Sequence, residues 1–296
     1  MNMKYGIIEI TGGIGKNIMA TAVIDNIKEK HPDRNILVIT AYPEIFIGNP
    51  SVYRVFKFQH TPYFYNDYVK DKDVMFFCAE PYKTEGFIKQ TEHLIEAWSK
   101  SIGVDYIHKE GKLFFNQREV DYVLNKLSFN KPILLFQPFG GDTGSQLKYS
   151  WNRDIPIIQA QTIVNILSEK YSVIQPCHDN QFKLLNTYQV TWPLREVLIL
   201  INESQKIIGI DSFSQHCAAA LNKPATVCWI TNSPKVFGYS IHKNIFPKED
   251  IVNEIENIQI DGYFQPYDFS GNRFHDFKFS TNEIFNITEI IESLEL

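Results

Sequence analysis

Apolar positions in this chain fall into short unbroken runs and longer periodic stretches, and the two kinds alternate. The runs Tyr5–Ile10, Asn35–Thr40, Val52–Phe58 and Val74–Cys78 predict strands. Asn17–Lys30, Lys89–Ile102 and Arg118–Leu127 have helical spacing, the first with acidic and basic residues assigned to an outer face. The polar segment Ser128–Pro132 ends in proline and predicts a hinge. Beyond it the scheme repeats. Strands are predicted at Ile133–Gln137, Ser172–Gln175, Lys206–Ile210 and Ala225–Ile230, and helices at Ile157–Lys170, Leu194–Asn202 and His216–Leu221. A polar loop, Pro138–Asp154, follows the first of these strands. Tyr263–Phe279, aromatic and polar without a period, predicts a surface loop, and Asn282–Leu294 a closing helix.

Such alternation implies parallel sheets wrapped by helices. The predicted fold class is α/β, with two doubly wound Rossmann-like domains facing a cleft. Residues 1–130 form the first domain and 131–280 the second, while 281–296 supply a C-terminal helix that packs back on the first. Open α/β sheets bind ligands beyond the carboxyl ends of their strands, so the cleft is the expected site.

Composition narrows the classes. Hydrophobic residues make up 44% of the 296, enough for a large core. A formal net charge of -5 with no basic block disfavours nucleic acid or an anionic membrane surface as partner. The four cysteines, Cys78, Cys177, Cys217 and Cys228, form no CxxC pair. They read as reduced thiols in a cytoplasmic protein, and no zinc site is expected. The opening MNMKYGIIEITGG is a strand and turn without a signal-peptide core, and no apolar run is long enough to span a bilayer.

Two loops carry candidate chemistry. In IIGIDSFSQHCAAALNKPATVCWI a strand delivers Asp211, Ser212 and Phe213 into the start of a small-residue helix containing His216. Unpaired N–H groups and a partial positive charge make such a helix start an anion site. Asp211 or Ser212 acting only as an N-cap is the competing reading. The other loop is Thr11-Gly12-Gly13-Ile14-Gly15-Lys16, after the first strand. It approximates a P-loop, but Asn17 stands where a magnesium-binding hydroxyl belongs. A dinucleotide fingerprint lacks its third glycine, since residue 18 is Ile18. The third reading is a glycine loop, Gly12, Gly13 and Gly15, facing an acceptor or donor across the cleft.

GGIGKNIMATAVIDNIKEKHPD resembles the opening of the heptosyltransferase-like glycosyltransferases, glycosyltransferase family 9. IGIDSFSQHCAAALNKP is similar to that family's second signature at Gly209, Asp211, Ser212, His216, Ala218 to Ala220 and Pro224. Lys148-Tyr149-Ser150-Trp151 resembles its Lys-x-Trp element, and Asn232-Ser233-Pro234 its post-strand loop. The resemblance implies a GT-B fold and inverting transfer from a nucleotide-diphosphate sugar to a hydroxyl of a surface glycan or glycolipid, a modified DNA base being the less favoured acceptor, with no cofactor and no essential metal. It implies an acceptor-side first domain and a donor-binding second domain. Lys148 would contact the donor phosphates, assisted by Gly140, Gly141, Asp211, Ser212, Phe213 and His216.

One departure matters. The family's first loop ends in an Asp read as the base, and here that slot holds Lys16. An ammonium cannot accept a proton at neutral pH unless its pKa is strongly lowered. Lys16 is then a ligand for an anion, with Asp142 or Glu9 as candidate bases, or transfer is lost. A non-catalytic nucleotide-sugar binder, a P-loop ATPase and a sugar-nucleotide epimerase are the alternatives.

Overall fold

In the computed structural model, residues 3–59, 61–140, 150, 152–178, 181–252 and 280–295 are described. The apolar runs form two sheets in which every strand pairing is parallel. The first has four strands, β1 (Lys4–Ile10), β2 (Asn35–Thr40), β3 (Arg54–Lys57) and β4 (Asp73–Phe76), in the order β3-β2-β1-β4. The second has six: β5 (Ile133–Gln137), β6 (Ser172–Pro176), β7 (Tyr188–Val190), β8 (Lys206–Ile210), β9 (Thr226–Cys228) and β10 (Lys243–Ile245). Its order is β10-β9-β8-β5-β6-β7. Counted from β5 this is 3-2-1-4-5-6 read from its β7 edge, the order of dinucleotide-binding Rossmann sheets. The chain reverses direction across the sheet between β5 and β8. A crevice therefore opens beyond the carboxyl ends of those two strands, at Gln137 and Asp211.

The first helix, α1 (Ile14–Lys30), departs from the expected amphipathic pattern. It is buried on every side from Lys16 to Ile27, because it lies between the first sheet and the second half of the chain. Its polar residues are clamps for neighbouring loops. Asn26, 1% exposed, accepts from the backbone N–H groups of Ile107 (3.1 Å) and His108 (2.7 Å) and donates to Ser99 Oγ (3.0 Å). Thr21 Oγ1 accepts from Lys112 N at 2.8 Å. Asp25 accepts from Ser51 Oγ (2.6 Å) and from Lys112 Nζ (2.8 Å). The extended segment 104–112 is held along α1 by these bonds.

The periodic stretch 89–102 is not one helix. A short helix, α2 (Glu85–Ile88), ends just before it, residues 89–93 are not helical, and only α3 (Leu94–Ser101) forms within it. Gln90 adopts φ 52°, and the His93 side chain accepts from Ile95 N to start α3.

The segment before residue 128 already leans on the second half. Helix α4 (Gln117–Leu124) packs on α6 (Leu194–Glu203). Arg195 of α6 donates to both Glu119 oxygens at 3.0 Å and to the Glu44 carbonyl at 3.1 Å, and it stacks on Phe115. The final helix, Ile287–Glu292, does not return to the first domain as expected. It packs on α5 (Ile157–Leu167), and Ile284, Phe285, Ile290 and Leu294 complete the core on that face of the second sheet. Gln159 fixes it, accepting from the N–H groups of Ile284 and Phe285 at 3.0 Å and donating to the Phe285 carbonyl at 2.7 Å. The apolar residues of this end therefore find their partners within the second domain. The aromatic stretch Tyr263–Phe279 lies outside the described residues.

Asn26→Ala strips partners from two part-buried backbone N–H groups, those of Ile107 and His108. A fully buried unpaired donor costs about 1–3 kcal/mol, and these part-buried ones fall at the low end, so a loss of roughly 2 kcal/mol in urea-unfolding free energy is expected, with the far-ultraviolet spectrum unchanged.

Candidate active site

Helix α7 (Phe213–Ala220) begins directly beyond β8. Its small face, Cys217, Ala218 and Ala219, is fully packed, and it meets α1 from across the molecule. Contact between the two helices depends on Gly15. A Cβ placed there would stand 2.6 Å from His216 Cδ2, a separation side chains do not adopt. His216 is 4% exposed, and its Nδ1 lies 2.9 Å from the Tyr239 hydroxyl. Tyr239 stacks in turn against His93 of the first domain, with ring centroids 5.3 Å apart. Burial lowers the pKa of His216 to about 3 and of His93 to about 4, so the interface is built from neutral imidazoles.

Around this contact lies a cavity of about 820 Å³ between the two sheets. Gly13, Ile14, Gly15, Lys16, Tyr42 and Tyr82 line it from the first domain. Gln137, Arg153, Asp211, Ser212, Phe213 and His216 line it at the switch point of the second. A groove formed by Pro176, Cys177, His178, Val190, Thr191 and Trp192 extends it along the ends of β6 and β7.

The candidates of the β8–α7 turn, Asp211, Ser212, Phe213 and His216, converge here. Ser212 is the N-cap of α7 yet makes no side-chain capping bond, and its hydroxyl accepts from Gln137 Nε2 at 3.1 Å. Gln137 Oε1 accepts from Ser214 N at 3.3 Å instead. The capping alternative is thus not what the loop does: Gln137, from the end of β5, takes the helix N–H and leaves Ser212 facing the cavity. Asp211 accepts from the side-chain amides of Asn232 and Gln215. Burial pushes its carboxyl up to about 6, against those two hydrogen bonds and the charge of Arg153.

Other candidates are placed differently. Gly12 turns the loop at φ 95° but does not line the cavity. Glu9 is exposed on β1, also off the cavity wall. Lys16 does not present a free ammonium. Its side chain is 2% exposed, and Nζ sits 2.8 and 2.9 Å from the two oxygens of Glu80, over the rings of Tyr82 and Trp98. Asn17 donates to the Gly13 carbonyl at 3.0 Å and accepts from Thr40. Neither is arranged as a P-loop arranges its lysine and hydroxyl, because both point into the domain.

Gly140 is buried, and its N–H donates to Asp154 at 2.8 Å, so it is not offered to a phosphate. Its missing side chain makes room for Arg153, whose Nη2 would be 1.7 Å from a Cβ at residue 140. Gly141, Asp142, Lys148 and Trp151 lie outside the described residues.

Sequence reading missed Gln137, Arg153 and Glu80, and singled out Asn232 only as part of a post-strand loop. Gln137 alone carried a signal, a polar residue closing the apolar run ILLFQ. The others are brought in by loops from separate elements. Among the described residues, no group of three His, Cys, Asp or Glu side chains is placed to hold a metal ion, and no helix is long and apolar enough to cross a membrane.

No protein-family model matches the sequence, and no curated protein sequence does. Solved structures do match in fold. A glycosyl transferase of family 9 from Veillonella parvula aligns with a TM-score of 0.67 at 11% identity, covering 100% of this chain and 97% of that one. The ADP-heptose lipopolysaccharide heptosyltransferase II of E. coli aligns at 0.64 and 13% identity, covering 89% and 99%. E. coli heptosyltransferase WaaC, solved with ADP, aligns at 0.56 and 11% identity, covering 90% and 99%. The fold is the two-sheet α/β architecture of the heptosyltransferase-like, GT-B glycosyltransferases.

The buried imidazoles set a pH dependence. His93 and His216 stay neutral in the fold, whereas unfolded histidine takes up a proton near pH 6.5. Stability is therefore complete above that pH and falls as pH drops from about 6.5 toward 4. The loss amounts to roughly 1.4 kcal/mol per histidine per pH unit in that window. Melting temperature should drop between pH 7 and pH 5, and less steeply in His216→Asn. Identical slopes would contradict the assignment.

Proposed function

We propose that this chain, folded like the heptosyltransferases, transfers a sugar from a nucleoside-diphosphate sugar to a hydroxyl acceptor, with inversion and without an essential metal. One observation carries the reading: the start of α7 and the guanidinium of Arg153 share one wall of the cavity at the switch point of the second sheet.

A diphosphate leaving group gains negative charge as the glycosidic bond breaks. A helix N-terminus and an arginine fork aimed at that position stabilise the developing charge in place of a metal ion. Among the described residues, the buried Arg153 Nε has no hydrogen-bond partner and stands 3.8 Å from Asp154, so no close carboxylate there claims its charge. Ser212 adds a hydroxyl, and Asp211 a carboxylate suited to a sugar hydroxyl. In this reading Lys148 joins Arg153 on the phosphates.

The nucleoside lies in the groove past β6 and β7, where the Trp192 ring offers a flat stacking surface. The sugar then projects toward Gly13–Lys16. The acceptor, a glycan or glycolipid hydroxyl, arrives from the first domain. That placement puts attack and departure on opposite sides of the anomeric carbon, the requirement for inversion.

Thermal melts with UDP, GDP, ADP and CDP and their sugars test the donor site, since a ligand selective for the native state raises the melting temperature. One nucleotide series should stabilise the protein, and turnover of its sugar should persist in EDTA. Arg153→Gln should weaken that nucleotide about 10- to 100-fold, the equivalent of ~1.5–3 kcal/mol for a charged hydrogen bond. Binding unaffected by Arg153→Gln would remove it from the site, and no shift with any nucleotide would refute the function.

A further inference from the structure

We propose that Glu80 is the catalytic base of this transfer, and that Lys16 is a positioning residue that holds it beside the glycine loop. The proposal rests on the transferase reading above.

Inverting transfer needs a proton acceptor on the side of the sugar away from the diphosphate. The carboxylate that lines the cavity among the described residues, Asp211, is on the diphosphate side, at the start of α7 and tied to Asn232 and Gln215. On the first-domain side, Glu80 is the carboxylate bonded to a wall residue. It follows β4, where the chain leaves the first sheet, and pairs with Lys16 at 2.8 Å.

The geometry of that pair separates the two partners. The ammonium of Lys16 is sealed, with its side chain 2% exposed, while the Glu80 side chain is 34% exposed. Glu80 is not itself on the cavity wall, but its partner Lys16 and Tyr82, two residues along the chain, both line it. The remaining contacts of Glu80 are weak ones. It accepts from Thr11 Oγ1 at 3.2 Å and from Tyr82 N at 3.4 Å. Thr11 is itself exposed, so its hydroxyl can give way to an incoming acceptor hydroxyl at the same oxygen. Burial alone would raise the Glu80 carboxyl. The hydrogen bond and charge of Lys16 outweigh it and leave the group below the usual carboxylate range, ionised at neutral pH.

In the transfer step the acceptor oxygen forms a bond to the anomeric carbon. The bond from that carbon to the diphosphate oxygen breaks, and its electron pair leaves with the nucleoside diphosphate. The hydroxyl proton passes to Glu80. The cation in the glycine loop is then no obstacle to base catalysis, because it fixes a carboxylate supplied by the neighbouring loop.

The test uses whichever UDP-, GDP- or ADP-sugar gives the largest melting shift, with water and then sodium azide as nucleophile. Azide attacks without losing a proton, so it needs no base. Glu80→Gln should keep the melting shift and lose about 10²- to 10⁴-fold in nucleotide release to water, and azide should restore release. Lys16→Met should move the acidic limb of the rate–pH profile upward, since Lys16 is the charged group that faces the carboxylate. If Glu80→Gln melts early because Lys16 is left unpaired, the double variant Glu80→Gln, Lys16→Met removes both charges and carries the same expectations. Hydrolysis within about threefold of the parent protein, or retained binding without rescue by azide, would overturn the assignment of Glu80. A parent protein that neither binds nor turns over any of the sugars would overturn the transferase reading itself, a result distinct from failure of the variants alone.

Discussion

The closeness of α1 and α7 is the constraint on which the rest depends. Both sheets are buried on their two faces, and two helices supply the boundary they share, at the point where a side chain larger than hydrogen on residue 15 would collide with His216. That contact sets the depth of the cavity. The helices approach with their N-terminal ends near one another, so the glycine loop of one domain faces the helix start of the other. Burial at the same boundary requires uncharged partners, which is why histidines and Tyr239 fill it.

Once α1 is enclosed, its polar residues must find protein partners, because water cannot reach them. Asn17, Thr21, Asp25 and Asn26 do so by holding loops from elsewhere in the first domain. Lys16 follows the same rule. A buried ammonium needs a carboxylate, and Glu80 meets that need while remaining about a third exposed. The second domain solves its own problem with amides. Gln137 occupies the N–H of Ser214 in the first turn of α7, and Asn232 steadies Asp211. Rigid polar groups are thereby aimed into a cavity whose position the strand order had already fixed.

Much of the architecture was legible from periodicity. Buried parallel strands are short unbroken apolar runs, and β1, β2, β5 and β8 lie where such runs lie. The glycine-bearing loop and the Asp211–His216 turn were legible for a related reason: sharp strand-to-helix turns restrict which residues can occupy them. Periodicity failed where burial was not one-sided. Helix α1 looked amphipathic because its polar residues recur, yet they face protein rather than solvent. The stretch 89–102 looked continuous because apolar spacing survives a break at Gln90, and the final helix carried no mark of which domain it would cover.

The sequence by itself therefore determined the class of fold, the two-part division of strands and helices, and the two loops that frame the cleft, since each depends on neighbours a few residues apart. Only the tertiary structure decided what the charged groups do. Lys16 and Glu80 are 64 residues apart, and Gln137 and Ser212 are 75 apart. Arg153 gains its place because Gly140 leaves room for it. Electrostatic roles of this kind depend on which groups meet and how much water remains between them, and local spacing records neither.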